Sequence, residues 1–241
     1  MELIRKAYDF LLDTVYPRRC PVCGDIVLPK GRGICEKCAN VLKPIDGSFC
    51  LKCGKPLGDA GREWCINCLD KHHEFTEGRS AFIYDDAMRK SIYRFKYNHQ
   101  KEYASYYGRV IADILGRKIK SYNADALIPV PMYKAKERKR GFNQANLLAK
   151  ELSRHVNIPV RNDIVVRKRS TQMMRSLGAA ERENNIKNAF KLRSDSVKLK
   201  NVIIVDDIYT TGSTIDAVAS VLRQAGVQNI YFVALATGRI E

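Results

Sequence analysis

Residues 201–215, NVIIVDDIYTTGSTI, decide the fold of this chain. The apolar run at its start predicts a strand buried on both faces, which is typical of a parallel sheet. Two carboxylates, Asp206 and Asp207, follow at once, and hydroxyl side chains around Gly212 lead into a helix predicted over residues 212–225. In open α/β sheets, ligands bind beyond the carboxyl ends of the strands. The stretch therefore predicts a ligand site between the acid pair and the start of that helix.

The segment after the acid pair suits a phosphate group, because a helix N-terminus offers free N–H groups and Gly212 permits close approach. Its hydroxyl donors are Thr210, Thr211, Ser213 and Thr214. Asp206 and Asp207 would repel a phosphate, so we expect them to bind a different part of the ligand. The vicinal diol of a ribose can donate hydrogen bonds to them, and Mg²⁺ can offset their charge. We therefore expect a phosphorylated ribose, with its hydroxyls at the acids and its 5-phosphate in the hydroxyl-rich segment.

The rest of the C-terminal two-thirds alternates between strand and helix patterns. The predicted strands span residues 80–84, 126–131, 164–166, 202–205 and 230–235, and the other predicted helices span residues 87–96, 103–120 and 142–155. This alternation predicts an open, mostly parallel, doubly wound α/β sheet with helices on both faces. A Walker B strand also ends in carboxylates, but the chain has no G-x-x-x-x-G-K-[ST] motif.

Composition divides the chain into parts. The net charge is +16 over 241 residues, and almost all of the basic excess follows residue 77. All eight cysteines precede that point. We predict an N-terminal amphipathic helix over residues 1–17, a cysteine-rich domain over residues 18–77 and an α/β domain over residues 78–241. The charge suggests an acidic partner such as nucleic acid, although a solvated surface is the alternative.

The N-terminal segment does not resemble a signal peptide, because Glu2, Asp9 and Asp13 interrupt its apolar positions. No run of apolar residues in the sequence is long enough to span a membrane. We expect a cytoplasmic location. The amphipathic pattern favours packing against the rest of the protein, with attachment to the inner face of the membrane as the alternative.

The cysteines form four Cys-x-x-Cys pairs at a constant spacing, each pair starting 15 residues after the previous one. The pairs are Cys20 and Cys23, Cys35 and Cys38, Cys50 and Cys53, and Cys65 and Cys68. Two such pairs complete a tetrahedral site of four sulfurs, so the eight thiolates predict two structural zinc ions. Sequential pairing keeps the loops local, and an interleaved arrangement remains open. A single redox pair or a disulfide framework fits the repeated spacing and the absent export signal poorly.

The hydroxyl-rich segment resembles the phosphoribosyl pyrophosphate (PRPP) loop of type I phosphoribosyltransferases, and with the cysteine grid the chain resembles the ComF family. The other matching motifs are Tyr84-Asp85, Phe95-Lys96-Tyr97, residues 128–131 (IPVP), residues 138–144 (RKRGFNQ), and Gln172 with Arg182 and Asn185. The resemblance implies a type I phosphoribosyltransferase-like sheet preceded by a small zinc-ribbon module. It further implies that Val130 and Lys134 hold the diphosphate of PRPP with Mg²⁺, and that residues 167–182 form a lid.

The same resemblance implies a role in natural transformation, in which the protein handles incoming single-stranded DNA. Basic and aromatic residues alternate in the α/β domain, which suits stacking on bases and neutralisation of phosphates. We predict nucleic-acid contacts from Arg94, Lys96, Arg138, Lys139, Arg140, Arg167, Lys168 and Arg169. The alternatives are an active phosphoribosyltransferase with an unknown acceptor, and a PRPP-sensing regulator without turnover. The family context also suggests that the zinc ribbons dock a competence helicase or a recombination mediator.

Overall fold

The computed structural model describes residues 17–29, 31–58, 61–98, 100–168, 186, 188–193 and 198–238. Within these ranges the strands are β1 (Glu77–Ile83), β2 (Ala126–Pro129), β3 (Val165–Arg167), β4 (Phe190–Leu192), β5 (Asn201–Tyr209) and β6 (Asn229–Thr237). The helices are α1 (Ile66–Asp70), α2 (Asp86–Tyr97), α3 (Tyr103–Ser121), α4 (Lys134–Arg140), α5 (Gln144–Val156) and α6 (Ser213–Gln224), with a 3-10 turn over Glu36–Cys38. Every helix in the described ranges is too short or too polar to cross a bilayer.

Four strands form one parallel sheet in the order β1-β6-β5-β2, and β3 pairs with β4 in a separate antiparallel hairpin. The register places Val205 opposite Val233 of β6 and opposite Pro129 of β2. Val202 and Ile204 face a core layer formed with α6, whereas Ile203 and Val205 face a layer formed with α3 and α5. Burial on both faces explains why β5 is continuously apolar up to the acid pair. The expected doubly wound α/β fold is confirmed.

The eight cysteines form two clusters in sequential pairing, as the local-loop argument favours. The first cysteine cluster is Cys20, Cys23, Cys35 and Cys38, and the second cysteine cluster is Cys50, Cys53, Cys65 and Cys68. The second cluster is buried in the same core as Phe75, Tyr209 and Phe232. The Gly78 N–H donates to the Lys52 carbonyl at 2.8 Å, so β1 and the second cluster are directly joined.

The first cluster docks on the opposite layer of helices. The Ser91 hydroxyl of α2 donates to the Pro21 carbonyl at 2.6 Å, and the Tyr103 hydroxyl of α3 donates to the Cys20 carbonyl at 3.3 Å. Arg94 donates to the Val22 carbonyl. These contacts fix the first cluster to the outer helices rather than to the sheet.

The structure departs from the sequence predictions at several boundaries. β1 begins at Glu77, three residues before the strand predicted over residues 80–84. β5 continues through the acid pair to Tyr209, because β6 extends alongside it to Thr237. The predictions did not include α4 or β4. The predicted helix over residues 1–17 lies outside the described residues except for its last position.

Gly78 provides a direct test of this packing, because a Cβ there would lie 1.8 Å from the Phe232 ring. We expect Gly78→Ala to lower the free energy of unfolding by about 1–3 kcal/mol or more through overpacking. Gly116→Ala is the matched control, since its Cβ in α3 would meet open space. It should raise the free energy of unfolding by about 0.5–1 kcal/mol. Denaturant titration measures both, and equal stability of the two variants would contradict the packing.

Candidate functional site

Two adjacent carboxylates form the centre of the site at the carboxyl end of β5. Asp206 is 9% exposed and Asp207 is 5% exposed, although β2 stops pairing with β5 one residue earlier, at Val205. The Asp207 N–H donates to Asp206 Oδ1 at 2.8 Å. The Lys96 ammonium from the end of α2 contacts Asp207 Oδ2. The Lys96 ammonium therefore contacts the buried acid pair at Asp207.

The two carboxylates have opposite pKa shifts. Burial raises the pKa of Asp206 well above its usual range, and the charge of Asp207 raises it further. Burial also acts on Asp207, but the Lys96 ammonium outweighs it and holds the pKa of Asp207 below its usual range. Burial would lower the pKa of Lys96, but Asp207 reverses this and raises it. The site thus holds one ion pair, between Asp207 and Lys96, and a second carboxyl group, Asp206, whose ionised form is disfavoured by burial. A cation or hydroxyl donors would stabilise that ionised form, which favours them as ligands.

A second group of side chains supports the acid pair from α4 and α5. The Gln144 amide lies 3.5 Å from Asp207 Oδ1, and Arg140 donates to Gln144 Oε1. The Arg140 guanidinium also lies 4.9 Å from the centre of the Tyr97 ring. Sequence reasoning used Gln144 only as part of a family motif. Gln144 is the first residue of α5 and faces the end of β5, a position that the sequence pattern did not predict.

The hydroxyl loop, residues 210–214, follows β5 directly. Gly212 has φ of 86°, a left-handed conformation that disfavours side chains, and it occupies the N-cap position of α6. A glycine cannot cap with a side chain, so the first N–H groups of α6 remain available to a ligand. Thr211 and Ser213 hydroxyls lie 3.0 Å apart on the loop. The predicted residues of the acid pair and of the hydroxyl loop are thus contiguous around the end of β5.

The segment after β2 that contains Val130 and Lys134, the predicted diphosphate loop, lies beside the acid pair. The Val130 N–H donates to the Val205 carbonyl at 2.9 Å, and the Asn143 amide donates to the Val130 carbonyl at 3.0 Å. Asn143 also caps α5 through Ala145, so one side chain fixes both the loop and the helix. Lys134 is exposed at the first position of α4.

The residues predicted to contact nucleic acid lie in different environments. Arg138, Lys139 and Lys168 are exposed. Lys96 and Arg140 belong to the acid site, and Arg94 is bonded to the first cluster. Arg167 is half-buried with its guanidinium 5.3 Å from the centre of the Phe190 ring. Arg169 and most of the predicted lid, including Gln172 and Arg182, lie outside the described residues, as does Asn185.

Aromatic residues of α2 and α3 divide between core and surface. Phe95, Tyr103 and Tyr107 are buried, whereas Tyr93 and Tyr97 are more than half exposed. The exposed rings have centroids 4.8 Å apart. A paired aromatic surface therefore lies directly beside Arg140 and the acid site.

Both cysteine clusters fit zinc. The sulfurs within each cluster all lie within 4.8 Å of one another, and the Cys23–Cys35 and Cys53–Cys65 sulfur pairs are each 3.7 Å apart. Tetrahedral coordination at about 2.3 Å per Zn–S bond places sulfurs about 3.8 Å apart. All eight cysteines are free of disulfide bonds. Four thiolates per ion leave no coordination position for a substrate, so these are structural sites.

We expect about two zinc ions per chain, and each cluster should lose its ion when one ligand is removed. Cys53→Ser should lower the thermal midpoint more than Cys23→Ser, because Cys53 is fully buried in the core shared with the sheet and Cys23 is only half-buried. Metal analysis of the purified variants and thermal unfolding provide the measurements. Equal losses of thermal stability would show that the second cluster is not part of the main core.

Variants of the two acids should change stability in opposite directions. The folded pKa of Asp206 lies above its unfolded value, so the wild type loses stability as the pH rises through that interval. Asp206→Asn should therefore be more stable than the wild type at pH 7, with the difference vanishing near pH ~4. Asp207→Asn should be less stable than the wild type at pH 7 by about 2 kcal/mol, because it removes the carboxylate that pairs with the half-buried Lys96 ammonium. Thermal unfolding against pH tests both, and shifts of the same sign would contradict the assignment.

The comparisons with known proteins agree with this architecture. Residues 11–69 match the double zinc ribbon domain, and residues 101–241 match the phosphoribosyl transferase domain. Competence protein F of Haemophilus influenzae is 36% identical over 162 residues, which cover 64% of this chain and 69% of that protein.

Two further relatives extend the match. DNA utilization protein YhgH of Escherichia coli K12 is 32% identical over 66% of this chain and 71% of its own length. Competence protein ComFC of Bacillus subtilis is 31% identical over 62% of this chain and 59% of its own length. Because both domain matches and these relatives agree with the cysteine grid and the sheet, the chain belongs to the ComF family, in which a double zinc ribbon precedes a phosphoribosyl transferase domain.

Proposed function

We propose that the protein handles incoming single-stranded DNA in natural transformation and binds a PRPP-type phosphoribosyl ligand at the end of β5. The observation that carries the proposal is that a buried acid pair is directly followed by a helix N-terminus without a side-chain cap. The names of the relatives, competence protein F, competence protein ComFC and DNA utilization protein YhgH, support the biological role.

The hydroxyl loop would hold the 5-phosphate. The first N–H groups of α6, the positive end of its dipole and the Thr211 and Ser213 hydroxyls converge there. Thr210 and Thr211 are exposed, so the loop is open to a ligand. The left-handed Gly212 turns the backbone so that it can approach the phosphate closely.

The acid pair would bind the ribose hydroxyls. A vicinal diol donates two hydrogen bonds, and carboxylates accept them without requiring a charge on that part of the ligand. Asp206, whose ionised form is disfavoured by burial, gains most from such donors or from Mg²⁺. Mg²⁺ prefers oxygen ligands and bridges carboxylates to phosphates, so it would offset the charge between the acids and the diphosphate. Lys134 and the backbone after Val130 would contact the diphosphate.

The surface for single-stranded DNA would lie beside this site. Tyr93 and Tyr97 offer stacking faces on α2, and Arg138 and Lys139 offer phosphate contacts on α4. Arg140 lies at the end of α4 and packs on Tyr97, so the aromatic pair and the basic helix are joined at one corner of the domain. The location would be cytoplasmic, where incoming single strands arrive.

Phosphoribosyl transfer is a second candidate, favoured by a cleft of about 120 Å³ next to the diphosphate loop. Its lining includes Lys134 and the carboxamides of Asn143, Asn146 and Asn162. The Asn143 carboxamide is bonded to Val130 and Ala145, and Asn162 Nδ2 donates to Asn146 Oδ1. The Asn146 amide and the Asn162 carbonyl oxygen are therefore the groups that would pair with an acceptor. Release of pyrophosphate from PRPP and Mg²⁺ with a candidate acceptor would establish turnover, and binding without release across all acceptors would leave a ligand sensor.

The decisive experiment measures both ligands on the same variants. We expect calorimetry with Mg²⁺ to detect PRPP binding to the wild type and none to the Asp206→Ala, Asp207→Ala double variant. An Arg138→Gln, Lys139→Gln double variant is the matched control. It should retain PRPP binding but bind a single-stranded oligonucleotide more weakly. The slope of the logarithm of the binding constant against the logarithm of the salt concentration should become less steep by about 0.7 for each phosphate that is no longer neutralised. A wild type that binds neither ligand, or binds DNA without salt dependence, would overturn the proposal.

A further inference from the structure

A buried histidine lies directly beneath the hydroxyl loop. His73 belongs to the segment between α1 and β1, and it is 3% exposed. Its Nδ1 lies 2.8 Å from Asp216 Oδ2 in the first turn of α6. Its Nε2 lies 3.1 Å from the Asn67 amide nitrogen. Both ring nitrogens therefore have partners, with Nδ1–H donating to the carboxylate and Nε2 accepting from the amide.

The Asn67 side chain brings the second cysteine cluster into this contact. Asn67 lies in α1 between Cys65 and Cys68, two residues of the cluster. The same amide nitrogen lies 3.5 Å from the Thr211 carbonyl of the hydroxyl loop. A continuous series of contacts thus runs from the second cluster to both the loop and the helix that follows it.

Asp216 is held at both carboxylate oxygens by this segment. Oδ2 accepts from His73, and Oδ1 accepts from the Glu74 N–H at 3.0 Å. The Asp216 N–H in turn donates to the Gly212 carbonyl at 2.8 Å, which closes the first turn of α6. Because both oxygens are occupied, the Asp216 side chain fixes the start of α6 instead of facing the ligand.

Gly212 shows how closely the loop rests on the histidine. A Cβ at this position would lie 2.9 Å from the Tyr209 hydroxyl and 3.1 Å from His73 Cε1. The imidazole and the Tyr209 ring therefore form the floor of the loop. Removing the imidazole would take away this floor and one of the two contacts that hold Asp216.

We infer that His73 is a positioning residue for the phosphate ligand, through which the second cysteine cluster holds the hydroxyl loop in its binding geometry. The inference rests on the proposed function, since it assigns the phosphate to that loop. The described contacts of the first cluster run instead to α2 and α3, through Ser91 and Tyr103. The described contacts therefore join the hydroxyl loop to the second cluster, whereas the first cluster is joined to the helix that carries Lys96.

Two measurements on His73→Ala, His73→Asn and the control Ser91→Ala test the inference. Hydrogen–deuterium exchange of residues 210–216 without ligand reports the order of the loop, and calorimetry with PRPP and Mg²⁺ reports affinity. We expect His73→Ala to speed exchange in the loop and weaken PRPP binding about tenfold or more, because it removes a hydrogen bond to a carboxylate. His73→Asn, which keeps a donor near the Nδ1 position, should recover part of both. Ser91→Ala, which alters an anchor of the first cluster on α2, should leave the exchange of the loop unchanged.

The outcomes separate this inference from the proposed function. A wild type that does not bind PRPP overturns the proposed function, while the exchange data still decide whether His73 orders the loop. Unchanged exchange and affinity in His73→Ala overturn the inference. If His73→Ala does not fold, Asn67→Ala at its half-buried position replaces it, with faster loop exchange supporting the inference and unchanged exchange overturning it. Zinc content, measured for each variant, must stay at the wild-type value for a loss of affinity to support the inference.

Discussion

Two neighbouring carboxyl groups are buried at the end of β5 with the Lys96 ammonium in contact with Asp207, and the rest of the site is organised around this acid pair. Asp207 and Lys96 form an ion pair, whereas burial and the charge of Asp207 raise the pKa of Asp206, against a smaller opposing effect of Lys96. A buried carboxyl group of this kind gains hydrogen-bond partners when a ligand with hydroxyl donors or a cation binds. The hydroxyl loop beside the acids provides the other half of that ligand's environment.

Strand pairing and the neighbouring helices fix the position of the acid pair. β5 is paired on both sides up to Val205, which gives the acids a rigid base, and it continues along β6 alone beyond that point. The open edge left by the end of β2 is where α2, α4 and α5 bring Lys96, Arg140 and Gln144 towards the acids. The consecutive helices α4 and α5 and the more distant α2 thus meet at one strand end.

The second cysteine cluster extends the core of the sheet, whereas the first forms a small core of its own with Val27. The second cluster packs with Phe75, Tyr209 and Phe232, so the cross-link that zinc supplies acts directly on the floor of the hydroxyl loop. The first cluster packs on the outer helices α2 and α3. A small polar ribbon with little core of its own gains stability from the metal and from this docking.

Local pattern was enough to predict much of this structure. The continuous apolar run of β5, the hydroxyl cluster before α6 and the constant cysteine spacing each indicate a local structure, although pairing with β6 extends β5 beyond its predicted end. The long-range contacts could not be predicted in this way. Lys96 lies within a basic, aromatic stretch that suggested nucleic acid, and His73 meets Asp216 across 143 residues of sequence. The α4 helix, KAKERKR, has no apolar periodicity to reveal it, because it is almost entirely charged.

The most direct test of the central claim is a crystal structure of the protein with PRPP and Mg²⁺ bound. The account predicts the 5-phosphate against the first N–H groups of α6, the ribose hydroxyls within hydrogen-bond distance of Asp206 or Asp207, and the diphosphate towards Lys134. A ligand bound elsewhere on the sheet, with both acids still turned only towards Lys96 and the backbone, would contradict it.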